Sequence, residues 1–358
     1  MAKLTPKENF TKMINGEIPQ SVPIYTMGMY FPGSPTRPPT HSIGPYLGGM
    51  GEMMERMARG EGFNPPAAGA KRVDEWGVTW VGNPEGNGGQ VPEPGNFILK
   101  DICDWKKIIK KPEPIDVSDS FWREKAEKDN KLSGIDRTQS LAAVGGMFSP
   151  FQSLVGFMGF TEGLMAMYEE PEEVKELLNW QCDYYVPALE KVAQYYNADL
   201  VSLADDSATK YNPFFSVEMY KEIFKPIYHR LVKPFTDRGL YAEFHNCGRC
   251  EDFVPDMVDF GVKGWDPAQT ENDLLEIKKR GDISLIGCYD FVPPPDGVVT
   301  EELIRESARA SFKKYAPGGH YAFAGGLLSQ PNDPGSAQWN MWLQMEVAQL
   351  ADCWYEKN

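Results

Sequence analysis

A chain of 358 residues with 42% hydrophobic and 24% charged side chains can bury a large core, and it is long for one domain unless that domain is an α/β barrel. Its formal net charge of −15 excludes nucleic acid and anionic membranes as favoured partners, because both surfaces would repel it. The sequence contains neither an apolar leader nor a run of about 18 apolar residues, so we expect a cytoplasmic protein with reduced cysteines.

The first hundred residues predict an irregular extension. Residues 1–20 predict an amphipathic helix, followed by a short apolar strand, "SVPIYTM". Residues 30–70 are rich in Pro, Gly and Met, a composition typical of loops that shape pockets. The segments "DEWGVTWVG" and "NFILKD" predict the strands of a hairpin. We therefore expect one barrel domain over residues 1–358, with 1–100 packed on it as a helical and hairpin extension.

From about residue 100 the predicted strands alternate with helices. The strands read "SLAAVGGM", "ADLVSLADD", "YAEFHNCG", "VKGWDP", "ISLIGCYD" and "YAFAGGL". Such alternation indicates parallel strands with crossover helices. No glycine-rich phosphate fingerprint follows the first strand, so the pattern favours an α/β fold of the (β/α)₈ barrel type over a nucleotide-binding sheet.

Polar and thiol side chains recur where these predicted strands end. In a (β/α)₈ barrel the carboxyl ends of the strands meet at the face that carries catalysis. Stability alone does not explain polar groups at the same point of several repeats, so we expect them to share one site. They are Asp205, Asp206, His245, Cys247, Asp266, Cys288 and Asp290.

His245 and Cys247 are two residues apart, and such residues of an extended segment point to the same side. Both could therefore bind one metal ion, with Cys288 as a third ligand from a neighbouring strand. Imidazole and thiolate form a zinc-type set, and three protein ligands with an open fourth position indicate a catalytic site. The alternative is that both cysteines are small buried hydrophobes and His245 is hydrogen-bonded within the barrel mouth.

The other polar candidates leave more than one interpretation open. Asp205 and Asp206 could bind the metal, act as acid or base, or cap the following loop. Cys250 completes a C-G-R-C sequence with Cys247, and it is either a further ligand or a reactive thiol at a helix start.

The loops after the strands predict an apolar mouth. A flat aromatic substrate suits such a lining, whereas ordinary packing is the alternative for part of the set. Asp266 adds a polar contact to the same predicted substrate site. The apolar candidates are Met27, Met29, Tyr30, Phe31, Met147, Phe148, Phe151 and Phe214.

Several of these segments together resemble one known family. The chain resembles the uroporphyrinogen decarboxylase superfamily over nearly its whole length, in "KENFTKMINGEIPQSVPI", "DEWGVTW", the paired aspartates 205 and 206, "SVEMYKEIFKPIYHRLV", "HNCG", "GVKGWDP" and "GGHYAFAGGL". The resemblance implies a (β/α)₈ barrel. That superfamily holds decarboxylases, zinc-dependent methylcobalamin:thiol methyltransferases and the methyltransferases of corrinoid-dependent O-demethylases.

Departures from the family patterns separate these branches. Decarboxylases carry arginines near the N-terminus that bind the tetrapyrrole carboxylates, whereas this chain reads "YTMGMYFPGSPTRPP" there, with Arg37 alone. Thiol methyltransferases carry a third zinc cysteine on the last strand, and "YAFAGGL" has none. The third and fourth ligands then remain open among Cys288, Cys250, Asp206, Glu218, Glu222 and Asp266.

The O-demethylase branch fits best. The resemblance then implies a Zn²⁺-dependent methyltransferase that takes the methyl group of a small methoxylated, aromatic substrate and transfers it to the Co(I) of a corrinoid (cobalamin) carried by a partner protein. Two alternatives stay open: methyl transfer from methylcobalamin to a thiol or pterin, and a non-catalytic barrel that binds a corrinoid or tetrapyrrole. The methyl donor, the direction of transfer and the oligomeric state, a homodimer included, are not specified by the sequence.

Overall fold

The computed structural model describes residues 2–26, 37–47, 51, 55–56, 58–59, 67–83, 89–326 and 334–358. A parallel sheet forms its centre, and a small antiparallel sheet lies outside it. The strands in these ranges are β1 (Thr40–Ser42), β2 (Lys71–Val73), β3 (Thr79–Gly82), β4 (Gln90–Pro92), β5 (Leu141–Gly145), β6 (Leu200–Ala204), β7 (Tyr241–His245), β8 (Val262–Ala268), β9 (Ser284–Gly287) and β10 (Tyr321–Phe323).

The parallel sheet has the order β1-β5-β6-β7-β8-β9-β10, so consecutive strands of the repeat are neighbours. An eighth parallel segment extends it, because Ile24 bridges Phe323 at the β10 edge. The backbone N–H of Tyr25 donates to Phe323 at 2.8 Å, and that of Phe323 donates to Pro23 at 2.9 Å. The predicted α/β fold of the (β/α)₈ type is confirmed by this curled parallel sheet of seven strands, which the segment at Ile24 extends by one.

The N-terminal hundred residues contribute more to the barrel than the sequence pattern indicates. The segment at Ile24 and strand β1 both belong to the parallel arrangement. The small sheet is the antiparallel set β2-β3-β4, and residues 96–101, predicted as a strand, are not in it. Its third strand is instead the short stretch Gln90–Pro92, which stands between Gly- and Pro-containing stretches of the sequence and was therefore not predicted.

Helices cover the outer face of the parallel sheet. Side-chain caps start several of them: Ser118 accepts from the N–H of Phe121, and Thr300 accepts from that of Leu303. No helix in the described ranges has both the length and the apolar content to cross a membrane. The helices are Pro6–Ile14, Ile102–Asp104, Trp105–Ile108, Asp119–Ser133, Pro150–Met158, Phe160–Glu169, Pro171–Tyr195, Val217–Met219, Tyr220–Phe224, Lys225–Thr236, Glu251–Phe253, Val254–Asp259, Leu274–Arg280, Glu301–Tyr315, Pro334–Ala351 and Trp354–Lys357.

The first helix, Pro6–Ile14, covers the amino-terminal end of the strands. Its Phe10, Met13 and Ile14 are buried in one hydrophobic cluster with side chains of the strands, among them Leu141 and Leu200. The Ser284 hydroxyl also donates to the carbonyl of Met13 at 2.9 Å. Side chains of this helix therefore cover the amino-terminal end of the strands.

Candidate metal centre

Three side chains with metal-binding atoms meet at the carboxyl end of the sheet. The donor atoms of Asp206, His245 and Cys247 all lie within 4.8 Å of one another, and no other such group of three occurs in the described part of the chain. The register explains the meeting, because Ala204 on β6 is paired with His245 on the adjacent parallel strand β7. All three residues are partly exposed, so an ion can reach them.

Backbone contacts hold the two loops together at this point. Asp206 Oδ1 accepts a hydrogen bond from the N–H of Cys247 at 2.9 Å, which leaves its second oxygen for an ion. The buried Asn246 side chain binds both the N–H and the hydroxyl of Ser207 at 3.0 Å. Gly248 follows with φ +91, a conformation that favours glycine. The loop that carries Cys247 is therefore closely packed against the loop after β6.

Asp266 orients the imidazole ring of His245. Oδ2 of Asp266 lies 2.8 Å from Nδ1 of His245, and the carboxylate is buried, with 2% of its surface exposed. Nε2 of the ring consequently faces Cys247, whose sulfur is 3.5 Å away. A carboxylate on the far nitrogen of a ligating histidine is the usual support of metal sites. The sequence predicts Asp266 as a substrate contact, whereas its carboxylate binds His245.

The spacing of the donor atoms fits zinc. Zinc binds thiolate sulfur at about 2.3 Å and imidazole nitrogen at about 2.0–2.1 Å in a tetrahedron, which places these two atoms roughly 3.5 Å apart. The observed distance from Sγ of Cys247 to Nε2 of His245 is 3.5 Å. One carboxylate, one imidazole and one thiolate make three ligands, so a fourth position would remain for substrate.

The protonation of the cluster depends on contacts between its members. Burial lowers the pKa of His245, but its hydrogen bonds with Asp266 and Cys247 outweigh burial and raise that pKa to about 11. Burial raises the pKa of the Cys247 thiol, and the hydrogen bond with His245 opposes this change. A positive charge at this position is therefore stabilised by the surrounding acceptors, and a bound cation would take the place of the proton.

A second pair of buried groups lies beneath His245. Tyr25 donates its hydroxyl hydrogen to Oε1 of Glu243, a fully buried carboxyl group on β7. Burial, followed by the charge of Asp266, raises the pKa of Glu243 well above its ordinary value. Oε2 of Glu243 and Oδ1 of Asp266 are buried without a hydrogen-bond partner in the described residues. A proton on Glu243 therefore reduces the repulsion between the two carboxyl groups behind the histidine.

Asp205, predicted as a catalytic group beside Asp206, has a different position. Its carboxylate is buried and accepts hydrogen bonds from the N–H groups of Phe151 at 2.8 Å and Gln152 at 3.0 Å, and from the hydroxyl of Tyr228 at 2.8 Å. Burial raises its pKa to about 7 against these three bonds, which lower it. Asp205 thus accepts hydrogen bonds from the N–H groups at the start of helix Pro150–Met158. Of the two aspartates, only Asp206 belongs to the cluster.

Cys288 lies outside the cluster, although the sequence predicts it as the third ligand. It follows β9 with φ +57 and is completely buried in the hydrophobic core that contains Ala308 and Phe312 of helix Glu301–Tyr315. Burial raises the pKa of its thiol far above the ordinary value. The thiol of Cys288 is thus packed against the helix layer, and Asp206 provides the third donor atom of the cluster.

The other predicted alternatives are also placed elsewhere. The Cys250 thiol is buried and donates to the carbonyl of Asn246 at 3.4 Å, so this sulfur points into the turn instead of toward His245. Glu222 is exposed and forms an ion pair with Lys175 at 2.9 Å. Glu218 is exposed in the first turn of helix Val217–Met219. Neither glutamate belongs to the group of donor atoms.

A cavity of about 300 Å³ opens beside Cys247. Its volume is at the lower end of the range for small-molecule sites, about 300–1,000 Å³. Most of its lining residues were not predicted from the sequence, although they stand in the loops after β6, β8 and β9, where a barrel carries its functional groups. The polar and aromatic residues of this lining are Lys210, Gln269, Thr270, Glu271, Tyr289 and Asp290.

The predicted apolar residues that the structure describes do not line this cavity. Phe148 is buried and stacks on Tyr185 with ring centroids 5.1 Å apart. Phe151 is 1% exposed and stacks on Phe214 at 5.6 Å. Met147 packs against the same hydrophobic core. The remaining predicted contacts, Met27, Met29, Tyr30 and Phe31, lie outside the described residues.

Comparison with known proteins identifies the family to which the sequence is similar. A family model described as uroporphyrinogen decarboxylase (URO-D) matches residues 132–332, more than half of the chain, and that segment contains the whole cluster. No curated protein matches the chain. A solved methyltransferase from Methanosarcina mazei is similar in structure, with a TM-score of 0.56 and 15% sequence identity over 97% of this chain and 99% of that one. At this identity the likeness concerns the fold.

Proposed function

We propose that this chain, which belongs to the uroporphyrinogen decarboxylase (URO-D) family, is a zinc-dependent methyltransferase that demethylates a small methoxylated, aromatic substrate and transfers the methyl group to the Co(I) of a corrinoid protein. The observation that carries the proposal is the three-donor cluster Asp206, His245 and Cys247 beside a cavity at the carboxyl end of the strands. The similar fold of a methyltransferase from Methanosarcina mazei supports methyl transfer as the reaction class.

The donor set suits activation of an ether. A bound zinc ion would supply a Lewis acid for the ether oxygen and so make the phenolate a better leaving group. The carboxylate of Asp206 and the thiolate of Cys247 would balance the charge of the ion, and Asp266 would keep Nε2 of His245 directed to it. The cavity beside Cys247 would bind the rest of the donor and orient its methyl group outward.

The partner must approach from the mouth. Helix Pro6–Ile14 packs against the opposite end of the strands, so a corrinoid protein that accepts the methyl group would dock on the face of the cavity. A cytoplasmic setting belongs to the same proposal, because Co(I) and the six free cysteines of the chain require reducing conditions.

The direct test uses zinc-loaded protein, a methoxylated phenol such as 2-methoxyphenol, and free cobalamin reduced to Co(I). Loss of the Co(I) absorbance with formation of methylcobalamin reports the transfer. We expect turnover by the wild type and by Cys288→Ala, and loss of turnover in Cys247→Ala, because only Cys247 belongs to the cluster. Equal turnover by Cys247→Ala and the wild type would overturn the proposal. Transfer only from methylcobalamin to an added thiol would reverse its direction.

A further inference from the structure

Three charged side chains line the cavity beside Cys247 and have no ion pair there. They are Lys210, Glu271 and Asp290. In the described part of the chain none of them has an oppositely charged group within 4.0 Å, whereas many charged residues elsewhere on the surface are paired. Charged groups without a partner at a cavity wall are available to a ligand.

The sum of these charges is negative. Glu271 and Asp290 contribute two carboxylates against the one ammonium group of Lys210. A zinc ion held by the charged side chains of Asp206 and Cys247 would add no net charge. The chain as a whole carries −15, which reinforces the field in the same direction. The formal charges of the lining therefore favour a cation over an anion.

Tyr289 gives the same cavity an aromatic wall with a fixed orientation. Its hydroxyl lies 2.9 Å from the hydroxyl of Ser307, and its ring packs against Phe323 with centroids 5.3 Å apart. An aromatic face within about 6 Å attracts an ammonium group. Two carboxylates and one held aromatic ring are thus combined in the lining of one cavity.

We infer that the cavity selects a methyl donor that carries an ammonium group, with Glu271 and Asp290 as the residues that set this specificity. The identification of the ligand as a methyl donor rests on the proposed function. The preference of the cavity for a cationic ligand concerns binding alone and does not depend on methyl transfer. Lys210 provides the alternative: its ammonium group would bind a donor with a carboxylate, and the cavity would then prefer an anionic donor.

Calorimetric titration of zinc-loaded protein with two probes tests the inference. The probes are 3-methoxytyramine and 4-hydroxy-3-methoxyphenylacetate, which share one methoxyphenol ring and differ in the charge of the side chain. We expect the cation to bind about tenfold more tightly at low salt, and the difference to shrink as ionic strength rises.

Matched variants locate the effect. Glu271→Gln and Asp290→Asn should each reduce the preference for the cation by roughly threefold, and Lys210→Gln should increase it, because each changes one charge of the wall. Glu124→Gln removes an exposed carboxylate on helix Asp119–Ser133 and should leave the preference unchanged.

Equal binding of the two probes, tighter binding of the anion, or binding of neither would overturn the inference. The proposed function fails by a different result, namely a zinc-loaded wild type that does not exchange methyl groups with cobalamin in either direction. The two failures are therefore distinguishable.

Discussion

Asp266 offers a sharp test of how the cluster is held, because it contacts His245 and is not itself one of the three donor residues. Its carboxylate is 2% exposed and lies 2.8 Å from Nδ1 of His245, so solvent hardly weakens this bond. A hydrogen bond to a charged group contributes about 1.5–3 kcal/mol. Loss of a carboxylate behind a ligating histidine lowers metal affinity by about 10- to 100-fold, or roughly 1.4–2.7 kcal/mol. For Asp266→Asn we expect the lower end, since the amide oxygen still accepts.

The assay is a competition titration of zinc against a chromophoric chelator at one pH. Asp282→Asn is the matched control, because Asp282 is a partly buried carboxylate at the other end of the barrel, paired with Arg280 at 2.7 Å. We expect this control to bind zinc like the wild type. Wild-type zinc affinity in Asp266→Asn, or an equal loss in Asp282→Asn, would refute the assignment of Asp266 as the residue that positions His245.

Three further substitutions test which residues stabilise the fold and which support the candidate site. Asp205→Asn should lower the free energy of unfolding, measured by urea unfolding, by about 1–3 kcal/mol, because the amide cannot accept hydrogen bonds from both N–H groups at the start of helix Pro150–Met158. The zinc content of this variant should equal that of the wild type. Gly248→Ala should reduce both thermal stability and zinc content, since a Cβ there would lie 2.6 Å from the carbonyl oxygen of Thr209 in a backbone with φ +91. Phe151→Ala should lower the free energy of unfolding by about 3–5 kcal/mol, while the affinity of the folded protein for the donor, measured by calorimetry, should not change.

The sequence pattern was sufficient for the architecture but not for strand β1. Five or more strand and helix alternations predict parallel strands, and the sheet order confirms them. The segment "SVPIYTM" is predicted as a short strand, and Ile24 within it does bridge Phe323. Strand Thr40–Ser42 is short and stands among Pro and Gly residues, so its sequence shows no strand period of its own. It becomes a strand because the neighbouring edge of the sheet provides hydrogen-bond partners, which is a property of the assembled fold.

At the site, the sequence predicts contacts between residues of one strand end better than contacts between residues of different loops. His245 and Cys247 meet because residues two apart on extended backbone share a side. Asp205 and Asp206 look equivalent in sequence, yet adjacent side chains point in opposite directions, and only the fold shows that Asp206 faces the cluster. Cys288 stands at a strand end as the others do, but its backbone at φ +57 places the thiol in the core.

The lining of the mouth was the hardest feature to predict. Aromatic residues in loops suggest a binding surface, but Phe148 and Phe151 lower the free energy of the fold by packing in the core. Charged residues such as Lys210 and Glu271 look like ordinary surface positions until the cavity beside Cys247 is known. These residues share only their position in the loops after the strands. That position does not distinguish a residue that lines a cavity from one in a solvent-facing turn.

The central claim is that Asp206, His245 and Cys247 bind one zinc ion, and elemental analysis of purified protein tests it most directly. We predict about one zinc per chain in the wild type and in Cys288→Ala, and loss of the metal in Cys247→Ala, because only Cys247 lies within 4.8 Å of the other donors. Retention of zinc by folded Cys247→Ala together with its loss from Cys288→Ala would contradict the account.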